Sequence, residues 1–152
     1  MNRNLVSIAL AGGLLLAGIT GIFIAHPRPV QAQQGCAVDT LRGTYGVHIQ
    51  GWFPADDKAK VPTLPFAQAG LGVADGAGNI DIVVSTSMSG EILKSIRMAM
   101  KYEVNADCTG SMTPVPGSNA GPVDFVVVDG GKQIFIVGTS PGAVLSGVGV
   151  RY

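Results

Sequence analysis

The clearest pattern in the chain is the alternation of apolar and polar residues between positions 91 and 104. The apolar positions are Ile92, Ile96, Met98, Met100, Tyr102 and Val104. Successive side chains of a strand point to opposite faces, whereas a helix repeats its apolar positions every three or four residues. The spacing therefore predicts a strand, although several of these residue types are also common in helices.

Shorter segments of the same extended character occur along the rest of the chain. The eight predicted strands span residues 45–53, 66–74, 80–86, 91–104, 111–115, 123–128, 133–139 and 144–152. Sequences rich in glycine and aspartate at 75–79 and 129–131 are typical of tight turns between strands. Residues 54–65 contain three prolines and four charged side chains, which predicts a loop without regular structure.

The order of these segments predicts an all-β fold. Because most connections are short, strands that are neighbours in sequence should pair as an antiparallel up-and-down meander. Eight such strands can close into a barrel, which leaves no exposed sheet edge, and a two-sheet β-sandwich is the alternative. The strands at 123–128 and 133–139 are apolar on both faces. We therefore expect a second layer or a second subunit on the outside, which predicts a homo-oligomer.

Residues 1–32 have the three zones of a secretion signal peptide. Arg3 precedes an apolar run over residues 5–25, and residues 30–32 (VQA) fit the small-x-small rule for cleavage. The run is also long enough to cross a bilayer, so an uncleaved membrane anchor is the alternative. We expect an exported protein, periplasmic or secreted, whose working part is a single β-barrel domain over residues 33–152.

The chain has two cysteines, Cys36 and Cys108, and both lie in the predicted domain. An oxidising destination favours a disulfide between them. A metal site is the alternative, but it would need further ligands, and His48 is the only histidine after the leader. Strand parity places His48 with Gln50 and Trp52, away from the apolar face. We expect no metal and no cofactor.

The charge balance argues against a nucleic-acid partner. Without Arg3 and Arg28, the domain has eight basic and ten acidic residues, a net charge of about −2. A nucleic-acid-binding domain would normally present a basic surface.

One face of the strand at 91–104 is a candidate ligand site. Met98, Met100 and Tyr102 could line a pocket for an apolar ligand, or they could be plain core. Lys94 has the same parity and lies near a turn, where it could meet a ligand at the barrel mouth or extend to solvent.

Asp81 and Asp124 lie within otherwise apolar strands. If they were buried, desolvation would raise their pKa values and make them candidate acids or ligand-orienting groups, whereas outward positions would make them ordinary surface residues. No Ser–His–Asp or Cys–His arrangement can be assembled from sequence spacing, so no catalytic residue is predicted.

The predicted domain contains four short motifs. They are residues 41–45 (LRGTY), 75–79 (DGAGN), 102–110 (YEVNADCTG) and 129–132 (DGGK). In this order they resemble the motifs of a group of exported, largely uncharacterised bacterial β-barrel proteins. The resemblance covers nearly the whole domain and implies a barrel, but no activity. In architecture the chain is also similar to eight-stranded barrels such as the lipocalins and the allene oxide cyclase and dirigent barrels.

Three functions are open from the sequence. The first is the binding of a small apolar ligand or a partner protein. The second is an isomerase or cyclase type of enzyme, which the likeness to allene oxide cyclase would imply. The third is a structural or interaction protein that works through its outer apolar faces. The volume and the polar lining of the barrel interior would discriminate among them.

Overall fold

A computed structural model describes residues 35–55 and 62–152 of the chain, so the predicted leader lies outside the described residues. The strands are β1 (Arg42–Pro54), β2 (Pro62–Asp75), β3 (Asn79–Met88), β4 (Glu91–Val104), β5 (Thr109–Pro114), β6 (Val123–Val128), β7 (Gln133–Gly138) and β8 (Val144–Arg151). Short 3-10 turns lie at Val38–Thr40 and Asp129–Gly131. Within the described ranges, no helix is long and apolar enough to span a membrane.

The strands form a closed antiparallel barrel in sequence order. Each strand pairs with the next, and β8 returns to pair with β1 from Tyr45 opposite Arg151 to Trp52 opposite Val144. This last pairing removes the two free edges that an open sheet would leave. The predicted all-β meander barrel is confirmed, and the sandwich alternative is wrong.

β2 begins earlier than the sequence predicts, at Pro62 within the segment expected to be an irregular loop. From Pro62 to Pro65 this strand pairs with β1 only, because its pairing with β3 starts at Phe66 opposite Met88. Proline lacks an N–H group and is tolerated in a strand where one side has no neighbour. The rest of the predicted loop, residues 56–61, lies outside the described part of the chain.

A β-bulge in β4 changes which side chains face the interior. Lys94 and Ser95 together lie opposite a single residue of β3, and Ser95 has a φ of 58°. The extra residue reverses the alternation of the strand on one side of the bulge. As a result Leu93 lines the interior and Ile92 is exposed. The prediction that Ile92 shares a face with the later apolar residues of this strand is wrong for that reason.

One end of the barrel is closed by the segment that precedes β1. Leu41 is 1% exposed and belongs to the hydrophobic core. The Tyr102 hydroxyl donates a hydrogen bond of 2.6 Å to the Leu41 carbonyl oxygen, and the Tyr45 hydroxyl donates one of 2.6 Å to the Gly131 carbonyl oxygen. Burial raises the pKa of both phenols above the ordinary 10.0. The closed end is therefore packed tightly and its buried hydroxyl groups have partners.

The same end is held covalently. A disulfide joins Cys36 to Cys108, as predicted, with the two Cα atoms 4.9 Å apart. The backbone N–H of Cys36 also donates a hydrogen bond of 3.2 Å to the Ala106 carbonyl oxygen. Both contacts attach the chain ahead of β1 to the β4–β5 turn.

The two turn motifs rich in glycine also build the closed end. The Asp75 carboxylate accepts hydrogen bonds from the Asn79 side chain and from the backbone N–H groups of Asn79 and Ala77, and these lower the pKa of Asp75 to about 2. Gly131 has a φ of 85°, and a Cβ atom at this position would overlap the Thr40 carbonyl oxygen. Only glycine suits that position. The turn residues at 75–79 and 129–131 therefore have a structural role.

The outside of β6, β7 and β8 carries an apolar surface, which we call the outer apolar face. Val126, Phe135 and Val148 are neighbours in one row across the three strands, and Val137 follows Phe135 on the same side of β7. Phe135 is 53% exposed and Val137 is 51% exposed. Apolar surface on both sides of these strands agrees with their sequence pattern.

Candidate functional site

The end of the barrel opposite the closed end contains a cavity of about 460 Å³. Its apolar lining consists of Ile49, Phe53, Phe66, Ile82, Met88, Leu93, Ile96, Met98, Met100, Met112, Ala120, Pro122, Val123, Ile136 and Leu145. Pockets that bind small molecules have volumes of roughly 300–1,000 Å³ and are lined mostly by apolar side chains. The cavity fits that description in both size and chemistry.

The cavity is deep rather than flat. Phe66 and Met88 are paired across β2 and β3 at the mouth, where these two strands reach the open end. Met100 and Met112 are buried at the floor, next to Tyr102 and its hydrogen bond to the closed end. The cavity therefore extends along the barrel axis from the mouth to the two methionines.

The sizes of the inward side chains explain why one half of the barrel contains a cavity and the other half does not. An eight-stranded barrel is just wide enough to be filled by its own side chains or to hold one small ligand. In the closed half, Tyr45, Tyr102 and Phe125 are buried and fill the space. In the open half, Gly138 and Ala120 line the cavity and occupy little of it. The interior is thus packed at one end and open at the other.

Three polar side chains line the cavity: Gln68, Thr86 and Asn119. Gln68 and Thr86 are direct neighbours across β2 and β3, whereas Asn119 lies in the segment before β6. Among the lining residues that the structure describes, none carries a charge. These described lining residues can therefore offer hydrogen bonds but no counter-charge.

Of the three predicted ligand-binding residues Met98, Met100 and Tyr102, the two methionines line this cavity and the tyrosine does not. Met98 and Met100 form part of its wall and floor. Tyr102 is 3% exposed and its hydroxyl is bound to the Leu41 carbonyl oxygen, so it supports the floor from below.

The other three predicted residues lie outside the barrel. Asp81, Asp124 and Lys94 are all exposed. The two aspartates occupy the outward positions of their strands, next to buried residues such as Ile82, so the burial considered for them does not occur. Lys94 is part of the bulge and loses the inward parity that the sequence suggests for it. These residues do not converge with Tyr102 in the cavity, and such convergence is the arrangement that would favour the cyclase-type hypothesis.

Asp81 and Asp124 each border a shallow hollow on the outer surface. The hollow at Asp124 has a volume of about 500 Å³ and extends to Phe135, and the one at Asp81 has a volume of about 410 Å³ and extends to Arg97 and Ser118. Both are wide open to solvent and have mixed polar and apolar walls, unlike the enclosed apolar cavity within the barrel.

Gln68 and Thr86 line the cavity but were not predicted from the sequence as site residues. A signal was present, since Gln68 shares its strand parity with Phe66 and with Ala74, which is buried. A polar side chain on the inward face of a strand needs a partner or a function.

No group of three or more His, Cys, Asp or Glu side chains in residues 35–55 and 62–152 is placed to hold a metal ion.

No protein-family model matches the chain, and no curated protein matches it. Among solved structures the chain is similar to a redesigned β-barrel, mFAP1, bound to DFHBI, with 19% sequence identity and a TM-score of 0.46. The match covers 76% of this chain and 98% of that chain. A likeness at this level of identity and superposition carries no inference about a ligand.

Proposed function

We propose that the protein binds one small apolar molecule inside the open half of its barrel. The observation that supports this is the cavity of about 460 Å³, which is walled by aliphatic, methionine and phenylalanine side chains. An apolar molecule that enters it leaves water and gains close contacts with the wall. The methionines can adapt to the shape of the occupant because their side chains are unbranched and flexible.

The probe for the test is 1,6-diphenylhexatriene, a hydrocarbon whose fluorescence rises in apolar surroundings. We expect saturable binding of one molecule per chain, with a Kd on the order of micromolar. Met98→Trp should weaken binding about tenfold or more, because the indole occupies the cavity. Arg97→Trp is the matched control, since Arg97 is the adjacent residue and points outward.

Thermal unfolding of both variants shows whether each one folds. Unchanged binding in a folded Met98→Trp variant, or an equal loss in the Arg97→Trp control, would contradict binding within the barrel. Absence of any saturable signal with the wild-type protein would do the same.

We place this activity outside the cytoplasm. The support is the signal-peptide pattern of residues 1–32 and the Cys36–Cys108 disulfide, because disulfides persist in oxidising compartments.

The outer apolar face supports a second candidate role, which is association with another copy of the chain. Phe135 lies at the centre of the face, between Val126 and Val148. Exposed apolar patches of this kind are common at protein–protein interfaces. Because β6, β7 and β8 are each paired with a neighbour on both sides, association through this face would use side chains rather than strand pairing.

For the oligomer, we expect light scattering at micromolar concentration to give a multiple of the monomer mass. Phe135→Lys should shift the mass to that of the monomer, since the interface core is depleted in charge. Val83→Lys on β3 is the control, because Val83 is also outward and exposed but lies across the barrel. A monomeric wild-type protein would contradict this role and leave ligand binding unaffected.

A further inference from the structure

We infer that the occupant of the cavity is an uncharged amphipathic molecule with one hydrogen-bonding head group, of the long-chain alcohol class rather than a fatty carboxylate. This inference rests on the proposed function and specifies its ligand class. It follows from the position of Gln68 and Thr86, which we call the polar pair, and from the charge of the surrounding wall.

The polar pair supplies two of the three polar side chains in the described, otherwise apolar wall of the cavity. Gln68 lies directly opposite Thr86, and residues opposite each other in antiparallel strands have Cβ atoms roughly 4.5–5.5 Å apart. The pair of inward residues nearer the mouth is Phe66 and Met88. On the other side of the polar pair, Val84 is buried among apolar residues. A head group held by the polar pair is therefore one step inside the mouth, and its tail extends toward the floor.

Thr86 is buried, unlike the polar side chains on the outside of the barrel. It is 7% exposed and, apart from the tyrosines of the closed end, it is the only buried polar side chain in the core of the described residues. Its hydroxyl lines the cavity beside Gln68, where it can donate a hydrogen bond to a ligand head group and accept one from it.

The chemistry of the polar pair suits a neutral head group. A glutamine amide has both donors and an acceptor, and a threonine hydroxyl can donate and accept. A hydroxyl group can therefore receive a hydrogen bond and donate another at the same position.

A carboxylate would meet no cationic side chain among the described residues of the cavity wall. No Lys, Arg or His lines the cavity among the residues that the structure describes, and Lys94 and Arg97 are exposed outside it. An ion that loses its hydration without meeting a counter-charge is strongly disfavoured. The described residues of the wall therefore disfavour an ionised head group at the depth of the polar pair.

The test is displacement of bound 1,6-diphenylhexatriene by 1-decanol, by decanoate and by decyltrimethylammonium at pH 8, each below its aggregation concentration. We expect decanol to displace the probe at a concentration about tenfold or more below that of either ion. The three competitors share one chain length, so a difference among them reports on the head group.

Variants locate the effect at the polar pair. Gln68→Leu combined with Thr86→Val should weaken decanol binding about fivefold to tenfold, while binding of the hydrocarbon probe stays the same or improves. Gln50→Leu is the control, because Gln50 is exposed on the outside of β1. Gln68→Lys should instead favour decanoate over decanol. If the double variant does not fold, Gln68→Leu alone makes the same prediction with a smaller effect.

The outcomes separate this inference from the proposed function. Probe binding with equal displacement by decanol and decanoate would overturn the neutral-ligand inference and leave ligand binding intact. An unchanged preference for decanol in the folded double variant would also overturn it. A wild-type protein that binds no probe would overturn the proposed function itself.

Discussion

Replacing both cysteines, as Cys36→Ala with Cys108→Ala, is expected to lower the free energy of unfolding by about 4 kcal/mol. The reason is the length of chain that the disulfide encloses, because the two cysteines are 72 residues apart in sequence. Without the cross-link the unfolded chain gains conformational freedom, and the segment ahead of β1 loses its covalent attachment to the β4–β5 turn. Urea unfolding monitored by circular dichroism measures the loss.

The reductant provides the control for this prediction. Wild-type protein in dithiothreitol should approach the stability of the double variant, whereas the double variant should not respond to the reductant. A loss below about 1 kcal/mol would mean that the closed end is held by packing alone and that the cross-link contributes little.

Leu41→Ala is expected to destabilise the protein by about 2–5 kcal/mol, because the leucine side chain is buried where it closes the barrel. The cost combines the lost transfer of the side chain from water with the cavity left beneath Val38–Thr40. The main-chain carbonyl that accepts the Tyr102 hydrogen bond is retained in the variant, so the effect reports on packing. Thermal and urea unfolding measure it.

Val38→Ala is the matched control in the same segment. Val38 is 38% exposed, so its truncation should cost about 0.5 kcal/mol or less. Equal losses for the two variants would contradict the assignment of Leu41 as the residue that closes the barrel.

The architecture could be predicted because it depends on signals that are local in sequence. Alternation and short apolar runs bounded by turn residues identified all eight strands, and turn chemistry at 75–79 and 129–131 marked where the chain reverses. Two details could not be predicted in this way. The bulge at Lys94 shifts the parity of one strand without any glycine to mark it, and Pro62 is tolerated only because β2 extends beyond β3.

The cavity could be predicted only in part, because a cavity depends on what is missing from the interior. Met98 and Met100 were identified from their strand face, and both line the cavity. The same reasoning included Tyr102, because a strand face continues along its whole length and gives no sign of where packing ends and the hollow begins. Whether Asp81 and Asp124 are buried could not be predicted, because the sequence does not show which side of each strand points inward.

The recognisable motifs of the chain and its candidate site occupy different places. Tyr45, Tyr102, Cys108 and Gly131 all belong to the closed end, where hydrogen bonds and the disulfide require particular residues. The cavity requires mainly that its wall be apolar and its volume partly unfilled. Motif similarity therefore identifies the framework more readily than the ligand.

The bulge in β4 has a consequence for engineering. It lies between Ile96 and Leu93, which both line the cavity, so it separates the alternation of the β3–β4 hairpin from that of the rest of β4. Under the proposed function, a library that randomises Phe53, Phe66, Met88 and Leu93 would change the ligand preference at the cavity, while the disulfide and the buried hydrogen bonds stay in place at the closed end. Such a barrel is a starting point for selecting binders and sensors.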